Sequence, residues 1–190
     1  MGWVDVAGGG GPVQVALPDS YNLGTGKPIR KCLFFPDRVE TTPNHPEAGR
    51  ESLKTIEVFL KYLDSTRVSL DICVFAITDD RITRRILDAH QHRRVRVRIV
   101  TDDEQSKSQG ADVAELKAAG VPLVMDRSAS DHMHHKFAVL DGKVLMNGSF
   151  NWTKHASEAN CENVMITNDG QFVEEFSGCF NGLWKQFGGA

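Results

Sequence analysis

The residues of this chain that could best handle a phosphodiester are concentrated in one short segment, residues 132–152. In order along the chain, these residues are His132, His134, His135, Lys136, Asp141, Ser149 and Asn151. An imidazole can attack phosphorus or transfer protons near neutral pH, and ammonium, hydroxyl and amide groups can stabilise the non-bridging oxygens of the transition state. The segment therefore predicts phosphoryl chemistry.

Strand geometry predicts which histidine shares a surface with the lysine. Residues 134–140 are predicted to form a strand, in which successive side chains alternate between the two faces. His134 and Lys136 are therefore expected on one face, about 7 Å apart, and His135 on the other. A core histidine and a surface lysine would explain each residue singly, but the combined spacing favours a catalytic site. His132 is expected at the surface without a role.

A histidine that acts as nucleophile or base needs a group that orients it and tunes its basicity, and a carboxylate does both. Glu162, at the start of the last predicted strand, is the candidate for that partner. On this strand it shares a face with Val164 and Ile166, which places it near the edge of the core. Gly148, just before Ser149, would allow a close approach of the backbone.

The elements that must position these groups alternate along the chain. Strands are predicted at residues 32–35, 68–77, 95–100, 122–125, 134–140, 143–146 and 161–167, with a hairpin turn at Asp141-Gly142. Helices are predicted from Arg50, from Asp79 and Asp80, and over residues 111–119. An aromatic stripe from Phe172 to Phe187 predicts a C-terminal helix packed on the core. This order predicts an α/β domain with a mixed β-sheet flanked by helices on both faces.

The composition is that of one globular domain. The chain has 190 residues, of which 41% are hydrophobic, and its net charge of −3 means that any site for a polyanion must be local. We expect a flexible tail at residues 1–30 and a single catalytic domain at residues 31–190. The four cysteines include no C-x-x-C pair, which favours free thiols in a reducing compartment and gives no zinc motif.

The motifs resemble those of the phospholipase D superfamily. "HHKFAVLD" and "GSFNW" match its His-Lys-Asp motif. "LFFPD", "MHHKFA", "GSFNWT" and "NCENVMIT" are most similar to its single-motif branch, which comprises the Zucchini or mitochondrial cardiolipin hydrolase type and bacterial Nuc-like endonucleases. The resemblance extends from about residue 33 to residue 187.

The resemblance implies a role for each matching residue. His134 would be the nucleophile that forms a phosphohistidine, and Lys136 and Asn151 would bind the phosphate. The remaining implied roles are a supporting hydrogen bond for Ser149, organisation of the motif for Asp141, and orientation of the histidine for Glu162. No metal or cofactor is required. Relatives from animal mitochondria carry a Cys/His-rich insert, whereas residues 36–50 contain only His45, so we expect no structural zinc.

The resemblance also implies a homodimer. Members of the superfamily use two such motifs in one site, and this chain has one, so a second copy across a twofold axis would supply the other. One His134 would attack while its protonated mate donates to the leaving oxygen and later deprotonates a water. The compartment stays open at this stage. If a native N-terminal anchor is missing from this sequence, the mitochondrial outer surface is one alternative.

Three functions remain open from the sequence. The favoured one is an endonuclease on single-stranded RNA or DNA, for which the predicted substrate-binding residues are Arg94, Arg96, Arg98 and Lys154. The arginines alternate with valines, as an exposed strand face would also require.

The second function is hydrolysis of a phospholipid, cardiolipin in particular, at a membrane. Met133, Phe150 and Trp152 would supply the apolar landing surface, although Trp152 is more easily explained as packed beneath the catalytic strands. The third function is a catalytically silent nucleic-acid-binding or scaffold protein. The intact set of six site residues disfavours it.

Overall fold

The computed structural model describes residues 26–37, 54–102, 111–126, 128 and 131–189. The strands are β1 Arg30–Phe35, β2 Ser69–Val74, β3 Ile77–Thr78, β4 Arg96–Thr101, β5 Leu123–Met125, β6 Lys136–Leu140, β7 Val144–Gly148, β8 Trp152–Thr153 and β9 Glu162–Thr167. The helices are α1 Thr55–Ser65, α2 Asp80–Gln91, α3 Ala111–Ala118, α4 Lys154–Glu158 and α5 Gly170–Gln186.

Seven of the strands form one mixed sheet in the order β1-β9-β7-β6-β2-β4-β5. Strands β2, β4 and β5 are parallel, and the pairs β2/β6, β6/β7, β7/β9 and β9/β1 are antiparallel. The short strands β3 and β8 pair separately. The predicted α/β class with a mixed sheet is confirmed.

Each face of the sheet carries its own core. On one side α1 and α2 contribute Phe59, Leu63 and Ile86 to a large buried cluster. On the other side Phe137 and Leu145 pack with Phe180 and Trp184 of α5. Helices therefore cover both faces, as the alternating apolar pattern predicts.

Local signals explain where several elements begin and end. The Asp79 side chain accepts a hydrogen bond from the Arg81 backbone amide and caps α2, as predicted. Gly120 follows α3 with a φ of +81°, a backbone conformation that glycine adopts readily. The hairpin between β6 and β7 turns through Asp141 and Gly142, which both have positive φ.

Three predicted elements differ from the structure. The predicted strand at 68–77 is divided, because the chain leaves the main sheet after Val74 and forms β3 beside β8. The strand predicted from 134 begins at Lys136. Phe172 is 47% exposed rather than buried, because the buried stripe of α5 passes through Val173, one residue later. Arg50 and most of the predicted tail lie outside the described residues.

Candidate active site

The predicted chemical groups meet at one end of the sheet. Strands β2, β4 and β7 run toward this end and strands β6 and β9 start from it, as the register of the pairs requires. The end therefore gathers residues that follow β7 and residues that precede or begin β6 and β9. The gathered residues are His134, Lys136, Ser149, Asn151 and Glu162.

Phe75, the residue after β2, contacts both His134 and Lys136. The His134 ring lies edge-on to it, with ring centroids 4.8 Å apart, and the Lys136 ammonium lies 5.0 Å from its centroid. His135 instead contacts Phe137, at 5.5 Å, and Phe137 packs against Phe176 of α5. His134 and Lys136 thus share one side of the segment, and His135 lies on the other.

Neighbouring charges tune the nucleophile candidate. Partial burial lowers the pKa of His134, the positive charges of Lys136 and His132 lower it further, and the Asp102 carboxylate opposes them. Burial also lowers the pKa of Lys136, opposed by the Glu162 carboxylate. The neutral, nucleophilic form of His134 is therefore favoured at neutral pH.

Ser149 and Glu162 join the end of β7 to the start of β9. The Ser149 hydroxyl donates a short hydrogen bond to Glu162 Oε2 and accepts one from the Asn163 backbone amide at 3.1 Å. Asn160 Nδ2 donates to Glu162 Oε1 at 3.1 Å. No contact among the described residues joins Glu162 to His134 of the same chain, so the structure does not pair these two residues within one copy.

Two further features of this end of the sheet lie at Gly148 and Asn151. A methyl group on Gly148 would overlap the Asn163 backbone carbonyl, so the close approach expected at this glycine is present. The Asn151 side-chain oxygen is buried without a hydrogen-bond partner. Because native folds pair most buried polar groups, this oxygen is an acceptor left for a hydrogen-bond donor from outside the described residues.

Asp141 lies at the opposite end of the sheet and does not belong to the site. Its carboxylate accepts hydrogen bonds from the backbone amides of Arg67, Val68 and Ser69 at 2.7 to 3.1 Å. Five residues along an extended strand separate it from Lys136 by about 16 Å. The structure therefore separates Asp141 from the other predicted site residues, and its contacts fix the β6–β7 turn and the start of β2, which fits the organising role that the resemblance implies.

The predicted substrate-binding arginines are also remote from the site. Arg98 is 18% exposed, makes two hydrogen bonds with Asp71 at 2.8 and 3.0 Å, and lies over Phe180 at 4.8 Å beneath α5. Arg94 and Arg96 precede and begin β4, at the end where Asp141 lies. A strand that runs toward the site carries its first residues away from it, so within one copy these arginines lie at the other end of the sheet, and their role in substrate binding stays a prediction. Lys154, exposed at the start of α4, lies three residues after Asn151.

The predicted apolar landing surface is absent, because Met133, Phe150 and Trp152 are all buried. Phe150 stacks on Phe35 with ring centroids 4.3 Å apart. The large apolar side chains exposed near the sheet edge are instead Phe34 and Met165.

Sequence reasoning missed two features of this end. One is Phe75, on which His134 and Lys136 rest. The other is a pair formed by His132 and Asp102, in which His132 Nδ1 lies 3.2 Å from Asp102 Oδ2. The available signal was that Asp102 lies two residues after the strand predicted at 95–100, at the end of the sheet where the other functional residues meet.

Metal-binding groups, cysteines and membrane-spanning helices also bear on the function. Among the described residues no three histidine, cysteine, aspartate or glutamate side chains are grouped closely enough to hold a metal ion. Cys32, Cys73, Cys161 and Cys179 are free thiols. In the same part of the chain, no helix combines the length and the apolar character needed to cross a membrane.

Comparison with known proteins finds a matching family model and matching relatives. A family model described as "Cardiolipin synthase, PLD-like domain" matches residues 59–184. A mitochondrial cardiolipin hydrolase from Chlamydomonas reinhardtii is 41% identical over 183 residues, covering 92% of this chain and 81% of the relative. The Homo sapiens protein of the same name is 36% identical over 176 residues, covering 85% and 69%.

Solved structures match as well. Nuc from Salmonella typhimurium, described as a phospholipase D family member, superposes with a TM-score of 0.68 at 25% identity, covering 84% of this chain and 96% of Nuc. NucT from Helicobacter pylori has the same fold, with a TM-score of 0.61 at 22% identity over 68% of this chain and 87% of its own. The residues matched by the family model include every site residue from Phe75 to Glu162.

Proposed function

This chain is a phosphodiesterase of the phospholipase D superfamily, and we propose that it cleaves single-stranded RNA or DNA internally through a phosphohistidine on His134. The observation that carries this proposal is the common placement of His134 and Lys136 on Phe75. It sets a neutral imidazole beside an ammonium group, which are the nucleophile and the phosphate ligand that the reaction needs.

The proposed reaction has two displacements at phosphorus. His134 attacks, the bond to the leaving oxygen breaks, and that oxygen takes a proton from the protonated His134 of a second copy. The second histidine then takes a proton from water, whose oxygen attacks phosphorus and releases the first histidine. Lys136 and the Asn151 amide stabilise the non-bridging oxygens in both steps, and Ser149 holds Glu162.

The second copy is required because one chain supplies only one motif. Glu162 is bound by Ser149 and Asn160 within its own chain, and no described contact takes it to its own His134. We therefore assign its orienting role to the histidine of the second copy, across a twofold axis.

The shape of the site supports a polymeric substrate. His134, Ser149 and Asn163 are all exposed, so a chain could enter on one side of the attacked phosphate and leave on the other. Phe34 is 44% exposed and pairs with Asn163, next to Glu162. An exposed ring beside a phosphate site can stack a base, and we propose that Lys154, exposed three residues after Asn151, contacts the backbone.

Cardiolipin hydrolysis is the second candidate, and the names of the relatives from Chlamydomonas reinhardtii and Homo sapiens favour it. In that case Phe34 and Met165 would contact the lipid surface, and the protein would act at mitochondria. The two candidates share the chemistry and differ in the substrate.

One assay separates the candidates. The purified protein and its His134→Ala variant are incubated in EDTA with labelled single-stranded RNA, single-stranded DNA, duplex DNA and cardiolipin vesicles. Cleavage of single strands that survives EDTA and is lost in the variant supports the endonuclease. Release of phosphatidate alone supports the lipase, and no cleavage by a confirmed dimer would leave only a binding role.

Subunit mixing tests the shared site. The wild-type chain and the His134→Ala chain are refolded together in varied proportions. If both copies of His134 serve one site, activity falls as the square of the wild-type fraction. A linear dependence would show that each chain acts alone.

A further inference from the structure

A second histidine lies at the rim of the site and is held by a buried carboxylate. His132 Nδ1 lies 3.2 Å from Asp102 Oδ2. Asp102 is 1% exposed, whereas the His132 side chain is 47% exposed. The hydrogen bond fixes the orientation of the ring. The opposite nitrogen, Nε2, has no described partner.

His132 and His134 border the same aromatic ring. The His132 ring contacts Phe75 edge-on at 5.8 Å, and the His134 ring contacts it at 4.8 Å. The positive charge of His132 also acts on His134, as one cause of the lowered pKa of the latter. The two imidazoles, two residues apart in the chain, thus contact the same ring, and the charge of His132 affects the pKa of His134.

We propose that His132, held by Asp102, binds the phosphate next to the one that His134 attacks. This inference rests on the part of the proposed function that both candidates share, the attack of His134 on a phosphodiester, and only a substrate with a second phosphate can use such a subsite. In a nucleic acid chain every internal phosphodiester has a neighbouring phosphate. Nε2 can donate to a phosphate oxygen when the ring carries its proton, and charge-assisted hydrogen bonds of this type are among the stronger ones.

A purely structural role for His132 would be to satisfy the Asp102 carboxylate. Two variants separate the roles, because the amide of asparagine reaches the position of Nδ1 and the amide of glutamine reaches that of Nε2. His132→Asn keeps a donor for Asp102 and removes the group that would bind phosphate. His132→Gln keeps a donor at the phosphate position.

The test measures binding in the His134→Ala background, which cannot cleave the ligand. The ligands are a dithymidine with one phosphate (TpT) and a trithymidine with two (TpTpT). We expect His132→Asn to weaken the binding of TpTpT by about tenfold, as the loss of one charge-assisted hydrogen bond predicts, and to leave that of TpT within about twofold. His132→Gln should retain part of the advantage. Thermal melting confirms that both variants are folded.

Each result decides the question. If His132→Asn changes the binding of both ligands equally, or of neither, the subsite is refuted while the proposed function stands. If the parent binds neither ligand, cardiolipin vesicles are compared with phosphatidylglycerol vesicles, since cardiolipin has two phosphates and phosphatidylglycerol one. A preference for cardiolipin that His132→Asn removes would refute the nucleic acid function and keep the subsite. No preference for the second phosphate in either comparison overturns the inference.

Discussion

The Lys136 ammonium donates a hydrogen bond to the backbone carbonyl of His134 at 2.8 Å, so the phosphate ligand is tied to the residue that carries the nucleophile. Both side chains also rest on Phe75. These contacts keep the Lys136 charge close to the imidazole, where it lowers the pKa of His134.

The pKa of His134 should respond in opposite directions to two substitutions. The positive charge of Lys136 disfavours the imidazolium, so Lys136→Met should raise the His134 pKa. The negative charge of Asp102 favours the imidazolium, so Asp102→Asn should lower it. NMR titration of labelled histidines measures both shifts. Shifts of the same sign would contradict this account of the site.

His134 and His135 should differ sharply in their effect on turnover. His134→Ala removes the nucleophile and should reduce kcat by about 10⁴-fold or more. His135 contacts Phe137 on the other side of the segment, so His135→Ala should keep kcat within about threefold. Trapping of an acid-labile phosphoryl group on the protein provides the direct check. Comparable losses in the two variants would refute the assignment.

Asp141 should contribute to stability rather than to the chemical step. Asp141→Asn keeps a side chain that tolerates the positive φ of this turn and weakens the hydrogen bonds to the backbone amides of residues 67–69. We expect a loss of about 2 kcal/mol in the free energy of unfolding, with kcat within about threefold of the wild type. Urea denaturation and steady-state kinetics give the two values. A large fall in kcat at unchanged stability would place Asp141 back in the site.

The arginines in and just before β4 should fall into two classes. Arg98→Met leaves Asp71 without its main partner beneath α5 and should cost about 3 kcal/mol of stability. The double substitution Arg94→Gln with Arg96→Gln should change neither stability nor kcat/KM on single-stranded RNA. If the double variant lowers kcat/KM and flattens its salt dependence, these arginines do bind the substrate.

Gly148 should tolerate no side chain. Gly148→Ala would push the end of β7 away from the Asn163 carbonyl, which displaces Ser149 and should cost about 2 kcal/mol together with most of the activity. Gly178 is the matched control, since a methyl group there meets open space on α5. Gly178→Ala should raise stability by up to about 1 kcal/mol. Equal effects at both positions would show that the close approach at Gly148 is unimportant.

The sequence predicted the fold class because the periodicity of each element is a local property. Phe59 and Leu63 repeat at helical spacing, Asp79 caps a helix, and Asp141-Gly142 forms a hairpin turn, all without knowledge of the rest of the chain. The main error in a helix is at Phe172, where the buried face passes through Val173 instead, whereas Phe180 and Trp184 of the same predicted stripe are buried.

The positions of charged residues could not be predicted in the same way, because they depend on the direction of the strand and on which helix packs against it. Arg98 has the sequence of an exposed strand residue, and only the placement of α5 buries it against Phe180. The pairing of His132 with Asp102 joins residues thirty positions apart. The local pattern places Asp102 near the end of a predicted strand, but it identifies the partner of neither Arg98 nor His132.

The distance between Lys136 and Asp141 has a consequence for how such chains are classified. One end of β6 bears the reactive groups, while the other end is where a carboxylate holds three backbone amides. A survey that sorts relatives into active and inactive by the complete His-Lys-Asp pattern would therefore combine two separate requirements. The histidine and the lysine are required for turnover, and the aspartate is required for stability. A relative that lacks only the aspartate should be counted as a less stable enzyme, and one that lacks only the histidine as a stable protein without turnover.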